Sequence, residues 1–149
     1  MDMEEQVKLW GLPKALKNKD IKYKFESKLT TDDGVKFSLL DGKEEVFIMS
    51  FYSGKNYLKL RRNSSPYLVL KFICVPNTNC RHRGISTFFL KKFLQFAKDK
   101  EYREIHLAVS PEQTEKEGYS LENGMNKEEL QKYYKNFLGR DPDIKLIFK

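Results

Sequence analysis

The chain has 149 residues and a net charge of +7, from 28 Lys plus Arg against 21 Asp plus Glu, which favours an anionic ligand or partner. Apolar residues make up 40% and aromatics 13%, enough to bury one packed core and too much for a disordered chain. The acidic opening MDMEEQVKLW, the short apolar runs and only two cysteines, Cys74 and Cys80, argue against a signal peptide, a membrane span and a disulfide framework, leaving a reduced, cytoplasmic protein as the expectation.

No repeat or linker divides the sequence, so residues 1–149 read as one domain. Glu4 to Lys17 is weakly helical and interrupted at Gly11-Leu12-Pro13. From Ile21 the pattern alternates, as "IKYKFESKL" sets Ile21, Tyr23 and Phe25 between charged residues. "VKFSLL", "EEVFIMSFY" and "NYLKLRR" follow, separated by Asp41-Gly42 and Ser53-Gly54, two dipeptides that read as hairpin turns in an antiparallel meander. "YLVLKFICV" (Tyr67–Val75) is almost wholly apolar, the signature of a strand buried on both faces at the centre of a sheet.

The spacing then predicts a helix from Ile85 to about Lys98, with Ile85, Phe88, Phe89, Phe93, Phe96 and Ala97 on one broad face. A short strand, "IHLAV" (Ile105–Val109), precedes a second helix. That helix starts at the N-cap Asn126 with Glu129 three residues on, carries Leu130, Tyr133, Tyr134, Phe137 and Leu138 on one stripe, and stops at Gly139. "IKLIF" closes the chain. The order β-β-β-β-β-α-β-α-β describes a mixed α/β or α+β sheet.

The stretch "NTNCRHRGIST" carries chemistry. Gly84 stands where a buried strand gives way to a helix whose first turn exposes backbone N–H groups. Those donors and the positive helix end suit an anion, and glycine permits close backbone approach. Arg81 and Arg83 add charge, and Ser86 and Thr87 add hydroxyls. The reading is a phosphate or pyrophosphate cradle. It is neither a Walker loop nor a dinucleotide fingerprint, since G-x-x-x-x-G-K-[ST] and G-x-G-x-x-G are both absent.

The strand "LVLKFICV", R-x-x-G-x-S at Arg81–Ser86, the apolar helix, "IHLAV" and the later "ELQKYYKNFLG" together resemble the core of GNAT-type N-acetyltransferases, over about Tyr67–Gly139. Ser86 stands where the family signature has Gly or Ala. The resemblance implies a mostly antiparallel central sheet flanked by helices, with a splayed strand pair that holds acetyl-CoA. It implies transfer of the acetyl group to an amine by direct attack on the thioester. Cofactor contacts carry over to Ile73, Cys74 and Val75 on the strand, to Arg81, His82, Arg83, Gly84, Ile85, Ser86 and Thr87 in the cradle, and to Ser110. By position Tyr134 is the acid that protonates the departing thiolate, with Tyr133 as competitor, because spacing alone does not decide which ring faces the cleft.

No base is named: Glu112, Glu115 and Glu117 lie in a polar segment, and His106 alternates with Ile105 and Leu107 as a satisfied sheet histidine would. No metal site is expected, because Cys74, Cys80, His82 and His106 lack ligand spacing. The acceptor, a small molecule or a protein, stays open, as does a homodimer. Two other readings stand beside this one. One is a basic nucleic-acid-binding or adaptor module using "KNYLKLRR" and "NCRHRG", disfavoured because the aromatics fall on core faces. The other is a GNAT-like fold that binds acyl-CoA without catalysis.

Overall fold

The structure, a computed structural model, describes residues 3–26, 34–54, 67–76, 81, 84–108, 126–138 and 141–148. Its frame is a six-stranded sheet in sequential order, β1 to β6. Helix α1 (Met3–Lys8) and a 3-10 turn (Lys14–Leu16) precede β1 (Ile21–Phe25), β2 (Gly34–Asp41) and β3 (Glu44–Gly54). β4 (Tyr67–Cys74), α2 (Ile85–Asp99), β5 (Glu104–Leu107), α3 (Lys127–Phe137) and β6 (Lys145–Phe148) complete it. The first three pairings are antiparallel, and β4–β5 and β5–β6 are parallel, each parallel pair being joined through a helix as such pairs require.

The alternation read in the sequence sets the faces. Val35, Phe37 and Leu39 of β2, with Ile105 and Leu107 of β5, join the main core beneath the helices. α1, α2 and α3 all contribute to that core, through Met3 and Val7, through Ile85, Phe89, Leu90, Phe93, Phe96 and Ala97, and through Tyr134. The aromatics interlock there: Phe47 stacks on Phe89 at 4.4 Å between centroids, and Trp10 lies parallel to Phe51 at 5.8 Å. The opposite face holds a smaller cluster of Ile48, Phe72 and Cys74.

One turn expectation is corrected. Ser53-Gly54 is not a hairpin turn, because β3 runs through it, with Ser53 registered against Leu68 and Gly54 against Tyr67. Extended pairing with β4 overrides the local turn preference of the dipeptide. Asp41-Gly42 does turn the chain, with Gly42 at a φ of 64°. "NYLKLRR" lies outside the described residues.

Two tertiary ties fix the helices. Lys98 at the end of α2 bonds Asp141 at 2.9 Å, joining it to the turn before β6. Asn126 caps α3 by accepting from the Glu129 N–H at 2.9 Å, while Glu129 accepts from the Asn126 N–H, a complete capping box. Asn126→Ala is expected to cost about 1 kcal/mol, and Asn126→Gly only a few tenths, read as chemical-denaturation midpoints. Equal midpoints for wild type and Asn126→Ala would show that the cap contributes nothing.

Candidate active site

β4 changes its relations to both neighbours at one point. Towards β3 the register passes from Phe51↔Leu70 to Ser50↔Phe72, so Lys71 is a bulge residue with no opposite number. Before it Leu68 and Leu70 point into the main core. After it Phe72 and Cys74 lie on the opposite face. Towards β5 the parallel ladder ends at Leu70↔Leu107, its last bond being Ala108 N–H to Leu70 O at 3.0 Å. β4 continues to Cys74 beside β3, beyond the end of the described β4–β5 ladder. Bulges re-aim side chains and end pairing in this way, and they concentrate near active sites.

Helix α2 follows β4 in the chain. Its N-cap is Gly84, at φ 82° and ψ 6°, in the left-handed region where a Cβ costs about 1–2 kcal/mol. A Cβ placed on Gly84 would meet no heavy atom within 4 Å among the described residues. Backbone conformation therefore requires the glycine, and the space over it is open. Gly84 brings no side-chain cap to the helix, and the first turn holds no acidic residue. The first intrahelical bond is Phe88 N–H to Gly84 O at 3.0 Å, so the amides ahead of it lack i−4 acceptors. Free amides and the positive end of the dipole give this end of the helix the character that suits an anion.

The side chains expected here distribute unevenly. Ile85 is buried and has only its amide to offer, whereas Ser86 and Thr87 are half-buried at the rim. The Thr87 hydroxyl is 2.7 Å from the Tyr133 hydroxyl, which stitches the first turn of α2 to α3. Arg81 turns back on β4: its Nε donates to Val75 O at 2.8 Å, and its guanidinium stands beside the Cys74 thiol. Burial pushes that thiol up, with Arg81 pulling the other way, so Cys74 is a protonated, buried group on the strand. Ile73, half-buried, packs against the main core. His82, Arg83 and Ser110 lie outside the described residues, as do Glu112, Glu115 and Glu117.

The adjacent tyrosines of α3 separate by environment. Tyr134 is 2% exposed and part of the main core. Burial, with Tyr133 adding to it, pushes its phenol far above the ordinary range. Tyr133 is half-buried, and burial raises its phenol while the Thr87 bond opposes the rise. The sequence gives no sign of the Tyr133–Thr87 bond, because its partners are 46 residues apart. Among the described residues no group of three or more His, Cys, Asp or Glu could hold a metal, and no helix is long and apolar enough to cross a membrane.

No protein-family model matches the chain, and no curated protein matches it by sequence. Solved structures do match. The aminoglycoside N-acetyltransferase AAC(6')-Iy in complex with CoA superimposes with a TM-score of 0.50, at 18% identity, over 87% of this chain and 97% of its own. The aminoglycoside acetyltransferase meta-AAC0020, from an uncultured soil metagenomic sample and in complex with trehalose, gives 0.51 at 16% identity, over 92% and 83%. The likeness is one of fold: a mixed six-stranded sheet with flanking helices, as the GNAT resemblance implies.

Proposed function

On this acetyltransferase-like fold, we propose that the chain is an acetyl-CoA-dependent N-acetyltransferase, moving an acetyl group to an amine by direct attack on the thioester. The observation that carries the reading is a β4 strand that runs on past the end of its described ladder with β5, followed by an α2 N terminus set by left-handed Gly84. One feature suits a slender amide-rich arm and the other a diphosphate. The fold neighbours support the same chemistry, both being acetyltransferases and one bound to CoA. They also make a small-molecule amine the first acceptor class to try.

In this reading the amides of Gly84, Ile85, Ser86 and Thr87 grip the diphosphate, with Arg81, His82 and Arg83 supplying charge. The strand edge at Ile73, Cys74 and Val75 bonds the pantetheine arm, with Ser110 as a further contact. Bound acetyl-CoA supplies the activated acyl thioester. Tyr134 is the proton donor to the departing sulfur: its raised phenol stays protonated at any working pH, so the donor is loaded whenever substrate arrives. Tyr133 has a different task, holding Thr87 at the diphosphate end.

The two tyrosines should separate kinetically. Tyr134→Phe is expected to lower kcat about 100-fold with little change in the KM for acetyl-CoA. Tyr133→Phe should raise that KM several-fold and spare kcat. The reverse pattern would exchange their roles.

The function itself is tested by thermal shift with acetyl-CoA and by thiol release over a panel of primary amines. At 100 times Kd, acetyl-CoA should add about 2.7 kcal/mol to folding stability. Stabilisation without thiol release from any amine would replace the reading with acyl-CoA binding alone. Salt-sensitive oligonucleotide affinity without an acetyl-CoA shift would replace it with the nucleic-acid module. Against that alternative, Trp10, Phe37, Phe47, Phe51, Phe89, Phe93 and Phe96 are buried in the core and offer bases no stacking face.

A further inference from the structure

The sheet face opposite the helices carries a histidine that its surroundings do not satisfy. Ile105 and Leu107 of β5 enter the main core, so His106 and Glu104 belong to the other face. His106 Nε2 lies 3.0 Å from Glu104 Oε1. A carboxylate only accepts, so Nε2 carries the hydrogen, and in the neutral ring Nδ1 is left as a lone-pair acceptor. That Nδ1 is buried and has no hydrogen-bond partner among the described residues. The expectation of a satisfied sheet histidine therefore holds for one ring nitrogen and fails for the other. Buried acceptors are nearly always paired, so an orphan of this kind calls for a reason.

The ring is also held in place. Tyr67 of β4 stacks on it, with centroids 4.1 Å apart and planes 9° from parallel. Gly54 of β3 makes room for the tyrosine: a Cβ there would stand 2.0 Å from Tyr67 Cε2. His106 pairs in register with Val69, one position before Leu70↔Leu107, the last pair of the described ladder. Its other neighbour in the sheet is Ile147 of β6, which brings no charge. Among the described residues Glu104 on its own strand and Tyr67 on β4 are the ionisable groups that touch it, and Lys145 of β6, registered against Glu104, shares their face.

Resting on the acetyltransferase reading, we propose that His106 is the general base of the reaction, its Nδ1 taking a proton from the acceptor's ammonium, with Glu104 and Tyr67 as positioning residues. Helix α2 packs on the main-core face, so a cofactor gripped at its N terminus leaves the face that carries His106 to the acceptor. The first proton passes to Nδ1, directly or through one bridging water, and Glu104 stabilises the imidazolium through Nε2–H. The freed nitrogen lone pair forms the C–N bond to the acetyl carbon, and the C–S bond breaks with its electron pair going to sulfur. The thiolate takes the Tyr134 proton, and Tyr134 recovers one from the nitrogen that has become the amide. His106 releases its proton to solvent, which balances ammonium plus thioester against amide, thiol and one proton.

The test uses the full chain and primary amines in matched pairs: ethylamine with 2,2,2-trifluoroethylamine, and 2-phenylethylamine with its β,β-difluoro analogue. The fluorinated member of each pair is the weaker base and needs less help to lose its proton. His106→Gln is expected to slow transfer to the basic amines by about 100- to 10,000-fold while keeping the acetyl-CoA thermal shift. With the fluorinated amines that loss should shrink at least about tenfold, a pattern a packing defect would not produce. Glu104→Gln, at a side chain 36% exposed, should show a smaller loss with the same dependence on amine basicity, and it serves should His106→Gln fail to fold. An unchanged rate in His106→Gln, or an equal loss within each amine pair, overturns the base while leaving the acetyltransferase reading intact. A wild-type chain with neither an acetyl-CoA shift nor thiol release removes that reading and this proposal together.

Discussion

Gly84→Glu should abolish the stabilisation that acetyl-CoA gives the wild-type chain, and Gly84→Ala should not. The two substitutions share one cost. Each puts a Cβ on a residue at φ 82°, about 1–2 kcal/mol of strain, which lowers Tm by about 2–8 °C for a domain of this size. They differ in what they bring to the helix end. The alanine methyl points into open space and adds no charge. The glutamate carboxylate sits where the α2 dipole and unpaired amides attract an anion, so it competes for the site and offsets part of its own strain. Thermal shifts with acetyl-CoA on all three proteins decide the matter. If Gly84→Glu keeps the full shift, the diphosphate does not sit at this helix, and the cofactor assignment of Arg81 to Thr87 falls with it.

Phe89→Ala is expected to cost about 3–5 kcal/mol, a large share of the 5–15 kcal/mol that typically separates folded from unfolded domains. Phe89 is fully buried one turn into α2. Its ring stacks on Phe47 at 4.4 Å, with Phe37 at 5.8 Å and Trp10 at 6.4 Å. Truncation empties a site walled by residues of α1's loop, β2 and β3, none of which can collapse into it without leaving its own packing. The same residue docks the end of α2 that carries the candidate anion site, so the acetyl-CoA shift should weaken as well. Urea or guanidinium midpoints at constant m-value measure the cost. A loss under 1 kcal/mol would mean that this aromatic cluster is not where the helix is anchored.

The parts of this protein that its sequence determines are those whose information is local. Alternation at Ile21, Tyr23 and Phe25 dictates a strand, and the apolar stripe from Ile85 to Ala97 dictates a helix with one buried face. Asn126 with Glu129 dictates where α3 starts, because both halves of a capping box lie within one turn. Gly84 is legible too, as the glycine at a strand-to-helix junction, while its left-handed φ came only with the structure.

Tertiary structure alone decided the rest. "YLVLKFICV" reads as a uniformly buried strand, yet neither the bulge at Lys71 nor the end of the β5 ladder at Leu70 is written in it. Both arise from how two partner strands, with their own lengths and registers, meet this one. Ser53-Gly54 carries a turn preference that pairing with β4 overrides. Arg81 spends its Nε on Val75, Tyr133 bonds Thr87 while its neighbour Tyr134 is buried, and His106 keeps one nitrogen unmatched beneath Tyr67. Each is a contact between elements distant in sequence or a direction around a helix or strand. Residue types and spacings bring such groups within range of one another, but only packing fixes which atoms meet.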